Sequence, residues 1–317
     1  MATPIAVIGS GIIGLSTALR LLEEGYSVTV IMRDLKLNLA SRAAPALFLP
    51  YKIGPEHLVA KWANTSVRYY DKFSNTPGAG VDLMDAVVLG KSKTVPMWLK
   101  ARGNYSELTN EHLPAEFEYG YKGTTFRIDS DIFLDYLIDQ IVAHKGIFME
   151  KNLRHFSGID PNYGIIVNCT GVSARQLVPD KTVFPIQGQY VLTTKPPGLN
   201  KITSAEVDDN SYILVVPRTK DCWLGGTAIN NEWSSVPDPQ KTEFIFSRAK
   251  LVEPALEKAK ILSAGIGLRP GRETVRIETE EIVGKRKVIH NYGHGGGGFS
   301  TAWGCADEVV RLIAELT

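Results

Sequence analysis

The sequence predicts an α/β fold in which a Rossmann-like domain is interleaved with a second, β-rich α+β domain. Three observations predict it. The chain opens on a strand, a glycine turn, a helix and a second strand; its middle alternates in a β manner over long stretches; and apolar strands with amphipathic helices return between and after those stretches. A length of 317 residues suits two domains with a substantial core.

Pro4-Ile-Ala-Val-Ile8 is a short apolar run that passes directly into Gly9-Ser-Gly-Ile-Ile-Gly14. The following helix keeps Ile12, Leu15, Ala18, Leu19 and Leu22 on one face and stops at Gly25, before a second strand at Ser27 to Met32. The two strands should be parallel, because a crossover helix joins them. In such a turn Gly9 permits the bend, Gly11 lets the backbone approach a pyrophosphate, and Gly14 lets helix and strand pack closely. Ser10, Ile12 and Ile13 then lie where the helix N-terminus faces phosphates. Arg33 and Asp34 stand about 20 residues on, where a ribose-recognising group belongs.

After Asp34 the alternation breaks. Ser41 to Tyr51 is rich in small residues and proline, Glu56 to Phe73 reads as a helix, and residues 75 to 127 mix short β-like runs such as Val81 to Leu89 with polar turns. Asp129 to Val142 has capping residues and an apolar helical face, which returns the chain to the first domain. Gly164 to Gly171 reads as an apolar strand running into a small-residue turn. Residues 185 to about 264 alternate as strands, interrupted by a helix near Pro239 to Lys250. A strand at Lys287 to His290, a glycine cluster and a closing helix from about Thr301 to Leu316 complete the chain. The expected division is 1–74, 128–184 and 265–317 for the nucleotide-binding domain, and 75–127 with 185–264 for the second.

Composition narrows the function. With 44% hydrophobic and 22% charged residues the chain reads as soluble and globular. A net charge of +1 offers no field for nucleic acid or an anionic membrane, leaving small-molecule chemistry as the expectation. Cys169, Cys222 and Cys305 form no CxxC pair, and no stretch approaches a membrane span. A reduced, cytoplasmic protein is expected. His57, His112, His144 and His155 show no ligand spacing, and His290 with His294, flanking the start of the glycine segment, read as structural rather than as a metal site, so no metal is expected.

Five segments carry a resemblance that covers nearly the whole chain: Val7 to Ser16; Ala44-Pro-Ala-Leu-Phe-Leu-Pro-Tyr51; Val167-Asn-Cys-Thr-Gly-Val172; Gly267-Leu-Arg-Pro-Gly-Arg272; and Ile289-His-Asn-Tyr-Gly-His-Gly-Gly-Gly-Gly298 with Trp303-Gly-Cys305. The sequence resembles the D-amino-acid oxidase family of flavoproteins. That resemblance implies FAD as cofactor, an amino-acid substrate and O₂ as acceptor. A homodimer is an assembly consistent with it, which the residues alone do not fix.

The residues of the implied cofactor site, besides the N-terminal turn, are Ala43, Ala44, Ala46, Leu47, Gly171, Arg269, Gly295, Gly296, Gly297, Gly298, Phe299 and Ser300. Consecutive glycines at 295 to 298 would leave room for a planar ring, and their amides with the last helix's N-terminus could donate to its oxygens. By the resemblance Arg269 grips the substrate carboxylate, for which a planar fork that stays charged is suited. The Gly296 carbonyl would accept the substrate amine, and hydride would pass from Cα to flavin N5 with no protein nucleophile. The imino acid then hydrolyses to a 2-oxo acid and ammonia, and O₂ yields H₂O₂.

One departure concerns tyrosines. Counting back from Pro217, the family's usual tyrosine positions hold Asn210 and Leu214. Tyr212 shares their face if the strand is regular, and could take a lid or carboxylate contact. Leu47, Leu49 and Leu214 suggest an apolar pocket and neutral substrates. Lys201 and Arg218 are cations that would instead admit acidic ones. D-Aspartate, glycine, N-methyl amino acids or a biosynthetic intermediate stand as alternative substrates.

Overall fold

The computed structural model describes residues 4–33, 39–91, 93–109, 113–114, 116–208, 211–282 and 286–316. From the N-terminus, β1 (Ile5–Ile8), α1 (Ile12–Glu23) and β2 (Val28–Met32) precede the short α2 (Ala40–Ala43) and the long α3 (Glu56–Ser74). Next come β3 (Val81–Gly90), α4 (Met97–Arg102), β4 (Ser106–Glu107), β5 (Tyr119–Ile128), α5 (Ser130–Ala143), β6 (Ile147–Glu150), β7 (Ile165–Asn168) and α6 (Ala174–Leu177). The second half holds β8 (Phe184–Thr193), β9 (Lys201–Asp208), β10 (Ser211–Pro217), β11 (Cys222–Gly225), β12 (Ile229–Asn230) and α7 (Pro239–Val252). It closes with β13 (Ile261–Gly271), β14 (Arg276–Ile282), β15 (Arg286–Tyr292) and α8 (Gly298–Ala314).

The strands form two sheets. The first has the order β14-β15-β7-β1-β2-β6, parallel except for the β14–β15 hairpin. Its central strands are buried along their whole length, as parallel strands covered on both faces must be. Helices α1, α3 and α8 pack side by side on it. Gly304 lets α8 approach the backbone of Trp62 on α3, where its amide donates to Ser66 Oγ at 3.1 Å. Tyr69 stacks on Trp303 with centroids 4.7 Å apart. The α/β, Rossmann-like architecture is therefore present as expected.

The second sheet runs β12-β8-β11-β10-β9-β3-β5-β4, with β13 also paired to β8. Its strands are antiparallel apart from β3 with β9. The expected boundary at 265 falls inside β13, which stays in this sheet from Ile261 to Gly271. That strand carries Arg269 and binds the two sheets' territories together.

Three local expectations change. Asp129 does not cap α5 through its side chain; its carboxylate instead accepts the Thr219 amide at 3.2 Å. The last helix begins at Gly298, three residues before Thr301, because docking overrides the poor helix propensity of glycine. Strand β10 shifts register between Ser211 and Tyr212, so the regular alternation assumed to relate Asn210 to Tyr212 is broken there. Asn210 and Asp34 lie outside the described residues. Among those described, no helix is long and apolar enough to cross a membrane. The three cysteines are free and buried, and burial pushes the Cys169 and Cys222 thiols up to about 12.

Candidate active site

The carboxyl ends of β1, β2, β7 and β15 meet at one edge of the parallel sheet, where ligands bind in open α/β folds. Gly9 follows β1 with φ of +113°, a conformation that side chains oppose. A Cβ there would also stand 2.5 Å from the Cys169 carbonyl oxygen, which belongs to the turn after β7. Gly14 is tighter still, since its Cβ would overlap the Gly9 carbonyl. Gly14 is thus required by close packing of helix on strand, and Gly9 both by its bend, as expected, and by the nearness of the Cys169 carbonyl. Gly171 closes the β7 turn with φ of +56°, and Arg33 is exposed beyond β2.

The N-terminus of α1, with Ser10, Gly11, Ile12 and Ile13, faces the same edge. Gly11 has no side chain to cap it, and Ser41 supplies one from the next segment: the Ile12 amide donates to Ser41 Oγ at 3.0 Å. Sequence reasoning missed Ser41, because a cap 29 residues away leaves no local signature. Beyond it, Ala43, Ala44, Ala46 and Leu47 run between the two sheets. Trp223 Nε1 donates to the Ala43 carbonyl at 3.2 Å, Ser130 Oγ to the Ala44 carbonyl at 3.2 Å, and the Ile128 amide to the Ala46 carbonyl at 2.8 Å. The segment is pinned from three sides.

The glycine cluster has a different physical basis from the one expected. A Cβ on Gly295, Gly296 or Gly297 would strike Lys52, Tyr51 or Ile53 respectively, whereas one on Gly298 would make only an ordinary contact with Ile12 at 3.7 Å. Three of their amides are already engaged: Gly295 with the Pro270 carbonyl at 2.8 Å, Gly296 with that of Tyr51 at 2.9 Å and Gly297 with that of His294 at 2.9 Å. The glycines therefore dock this loop against residues 51 to 53. The donors left for a ligand are the first-turn amides of α8, at Gly298, Phe299 and Ser300, which have no intrahelical partner.

The residues present fit a flavin. His294 Nε2, Asn291 Oδ1 and Ser300 Oγ are buried without a partner among the described residues, all within the segment that leads from β15 into the first turn of α8. Unpaired buried polar atoms are costly, and three in one segment point to a polar ligand. His294 has no countercharge among the described residues, and burial lowers its pKa to about 3, so it is neutral. His290 is structural: Nε2 faces Glu280 at 2.9 Å and Nδ1 faces Asn168 at 3.2 Å. Asn168 in turn accepts from Thr170 Oγ1 at 2.7 Å and shapes the β7 turn.

Arg269 stands on β13, against β8 and Thr227 on one side and the Tyr51 ring on another. It packs beside Gly188 of β8, where a Cβ would meet its guanidinium, and donates to the Thr227 carbonyl at 3.2 Å. Its guanidinium carbon lies 5.9 Å from the Tyr51 ring centroid. Among the described residues no carboxylate pairs with it, and desolvation lowers its pKa, which the nearby Tyr51 opposes. A cation held so requires an anion from outside. By contrast Arg272 pairs with Asp180 at 3.1 Å and Arg276 with Glu280 at 2.9 Å.

Leu47, Leu49 and Leu214 line one apolar cavity together with Phe48, Val87 and Trp98. The two alternative cations are committed elsewhere: Arg218 grips Asp221 through two contacts of 2.7 Å, and Lys201 pairs with Glu253 at 3.3 Å. Tyr212 is 44% exposed at the rim, opposite Glu206 on β9. Tyr51, absent from the expected site, lies against both Arg269 and Gly296. Its signal in the sequence was its place at the end of Ala44 to Tyr51.

The fold is that of a dinucleotide-binding parallel α/β sheet joined to a second, mainly antiparallel sheet. The chain belongs to the DAO family, FAD dependent oxidoreductase, whose pattern matches residues 4–312. It is 36% identical to a D-amino-acid oxidase of Rubrobacter xylanophilus over 96% of this chain and 94% of that one. It is 35% identical to a D-amino-acid oxidase of Streptomyces coelicolor over 98% and 96% respectively. Among solved structures, glycine oxidase from Bacillus cereus superposes with a TM-score of 0.79 at 17% identity, covering 99% of this chain and 96% of that one, which is a likeness of fold. FAD is thus the cofactor that the family and the donor set together specify.

Proposed function

We propose that the protein oxidises D-amino acids with neutral, apolar side chains to 2-oxo acids and ammonia, with O₂ reduced to H₂O₂. The observation that carries this reading is Arg269, a desolvated guanidinium without a carboxylate partner among the described residues, held beside the Tyr51 ring that also lies against Gly296. FAD, when bound, supplies the hydride acceptor and passes the electrons to O₂. The chain's residues do the positioning. Arg269 fixes the carboxylate, the Gly296 carbonyl is free among the described residues to accept the amine, and Leu47, Leu49 and Leu214 offer the side chain an apolar wall. With three substituents of Cα fixed, one enantiomer alone presents its hydrogen to the ring. Neither substrate nor reacting atom needs a protein nucleophile.

The family's relatives named as D-amino-acid oxidases support the substrate class. The commitment of Arg218 and Lys201 to other acids supports neutral over acidic side chains. We assign 1–74, 128–184 and 265–317 to the FAD domain in outline, with β13 shared, and infer a cytoplasmic enzyme for which a homodimer is the simplest assembly. The test is a peroxide assay on the FAD-loaded protein across D- and L-amino acids. Peroxide from D-leucine and D-methionine but not their L-forms supports the proposal; peroxide from glycine, N-methyl amino acids or D-aspartate alone would replace it.

A further inference from the structure

We propose that Tyr51 is the phenol that shares the substrate carboxylate with Arg269, supplying the hydroxyl that Leu214 and the displaced start of β10 do not. The inference deepens the reading above and rests on it for the identity of the substrate. It stands on a juxtaposition of three groups. The Tyr51 ring centroid lies 5.9 Å from the Arg269 guanidinium carbon. The same ring rests against Gly296, where a Cβ would come within 2.8 Å of Tyr51 Cδ1. The Tyr51 carbonyl is tied to the Gly296 amide at 2.9 Å, so backbone and ring are held together at the point where carboxylate and amine must be fixed.

The hydroxyl is uncommitted, since no group among the described residues donates to it or accepts from it. Lys52 Nζ also lies over this ring, 5.6 Å from the centroid. An O–H aimed at a carboxylate already gripped by a guanidinium is the charge-assisted geometry that adds affinity. The rival phenol is Tyr212. It stands 44% exposed at the rim, with Glu206 on the adjoining strand, and a carboxylate there would meet solvent and a like charge. Leu214 carries no polar atom and faces the apolar cavity.

The experiment uses the FAD-loaded protein and benzoate as a simple carboxylate, with binding followed both by the change in the flavin spectrum and by titration calorimetry. Tyr51→Phe is expected to weaken benzoate about tenfold while Tyr212→Phe changes it less than about twofold. The KM for D-leucine should rise about tenfold in Tyr51→Phe with kcat within about twofold, the split expected of a group that holds the substrate. FAD content and melting temperature of Tyr51→Phe should equal those of the unaltered protein, which separates binding from folding. A benzoate Kd for Tyr51→Phe within twofold of the unaltered value, or a loss carried by Tyr212→Phe, overturns the proposal. Tyr51-dependent benzoate binding without turnover of any D-amino acid would sustain it while refuting the proposed reaction.

Discussion

Replacing Arg269 with methionine should weaken substrate binding while leaving the apoprotein at least as stable. The guanidinium has one hydrogen bond, to the Thr227 carbonyl at 3.2 Å, and no ion pair among the described residues. Burial disfavours its charged form in the folded chain, so charge at this position opposes folding until a ligand arrives. Methionine keeps an unbranched apolar stem against Tyr51 and Gly188 and removes that burden. For the substrate the balance is reversed. A bidentate clamp supplies two charge-assisted hydrogen bonds, each worth about 1.5–3 kcal/mol, so roughly 10²- to 10⁴-fold should be lost in KM. The apoprotein melting temperature should hold or rise by about 2 °C. Thermal melts of apoprotein and oxygen-uptake kinetics of the loaded enzyme read the two effects separately. A melting temperature several degrees lower would show that Arg269 has a structural partner, and a KM within threefold would remove it from the site.

Other expectations follow from single contacts. Gly14→Ala should prevent FAD retention, because the added methyl overlaps the Gly9 carbonyl; a variant that purifies with its full flavin content contradicts the turn assignment. Gly188→Ala should raise KM about tenfold or more by displacing the guanidinium it lies beneath, with flavin content unchanged, whereas unaltered kinetics would show that Arg269 can move without cost. Ser41→Ala, which leaves the Ile12 amide uncapped, should cost about 1 kcal/mol in denaturant unfolding of the apoprotein. Folded His294 takes up no proton until about pH 3, while in the unfolded chain it titrates near 6.5. The unfolded state therefore binds more protons between those values, and stability should fall as pH drops through the window, by at most about 1.4 kcal/mol per unit. His290, also lowered by burial, acts with the same sign. His294→Asn should flatten the slope, and an unchanged slope from pH 4 to 7 would refute the assignment.

The parts of the fold readable in the sequence are those with a local cause. Strand β1, the Gly9 and Gly14 turn, and helix α1 state their geometry in consecutive residues, as do α3 and α7. Strand β14 could not be found so, because Arg276-Ile-Glu-Thr-Glu-Glu-Ile282 is a charged edge stabilised only by its pairing with β15. Strand β6 carries exposed Ile147 and Met149, which blur the alternation that marks a half-buried strand. At the site, Arg269 was legible through its motif, and the cavity of Leu47, Leu49 and Leu214 through theirs. Ser41 and Gly188 were not, since each acts on a residue far along the chain, and Tyr51 was marked only by its place at the end of the Ala44 to Tyr51 motif. The glycines at 295 to 297 were placed at the site for one reason and are needed there for another: they admit the irregular segment at residues 51 to 53.

The central claim is that this cleft presents a D-amino acid to bound FAD by its carboxylate. Mixing the FAD-loaded protein with D-leucine under anaerobic conditions tests it most directly. The visible flavin band should disappear, L-leucine should leave it unchanged, and admitting air should restore it with release of H₂O₂. A band that survives every D-amino acid, or a protein that stays colourless after reconstitution with FAD, contradicts the account.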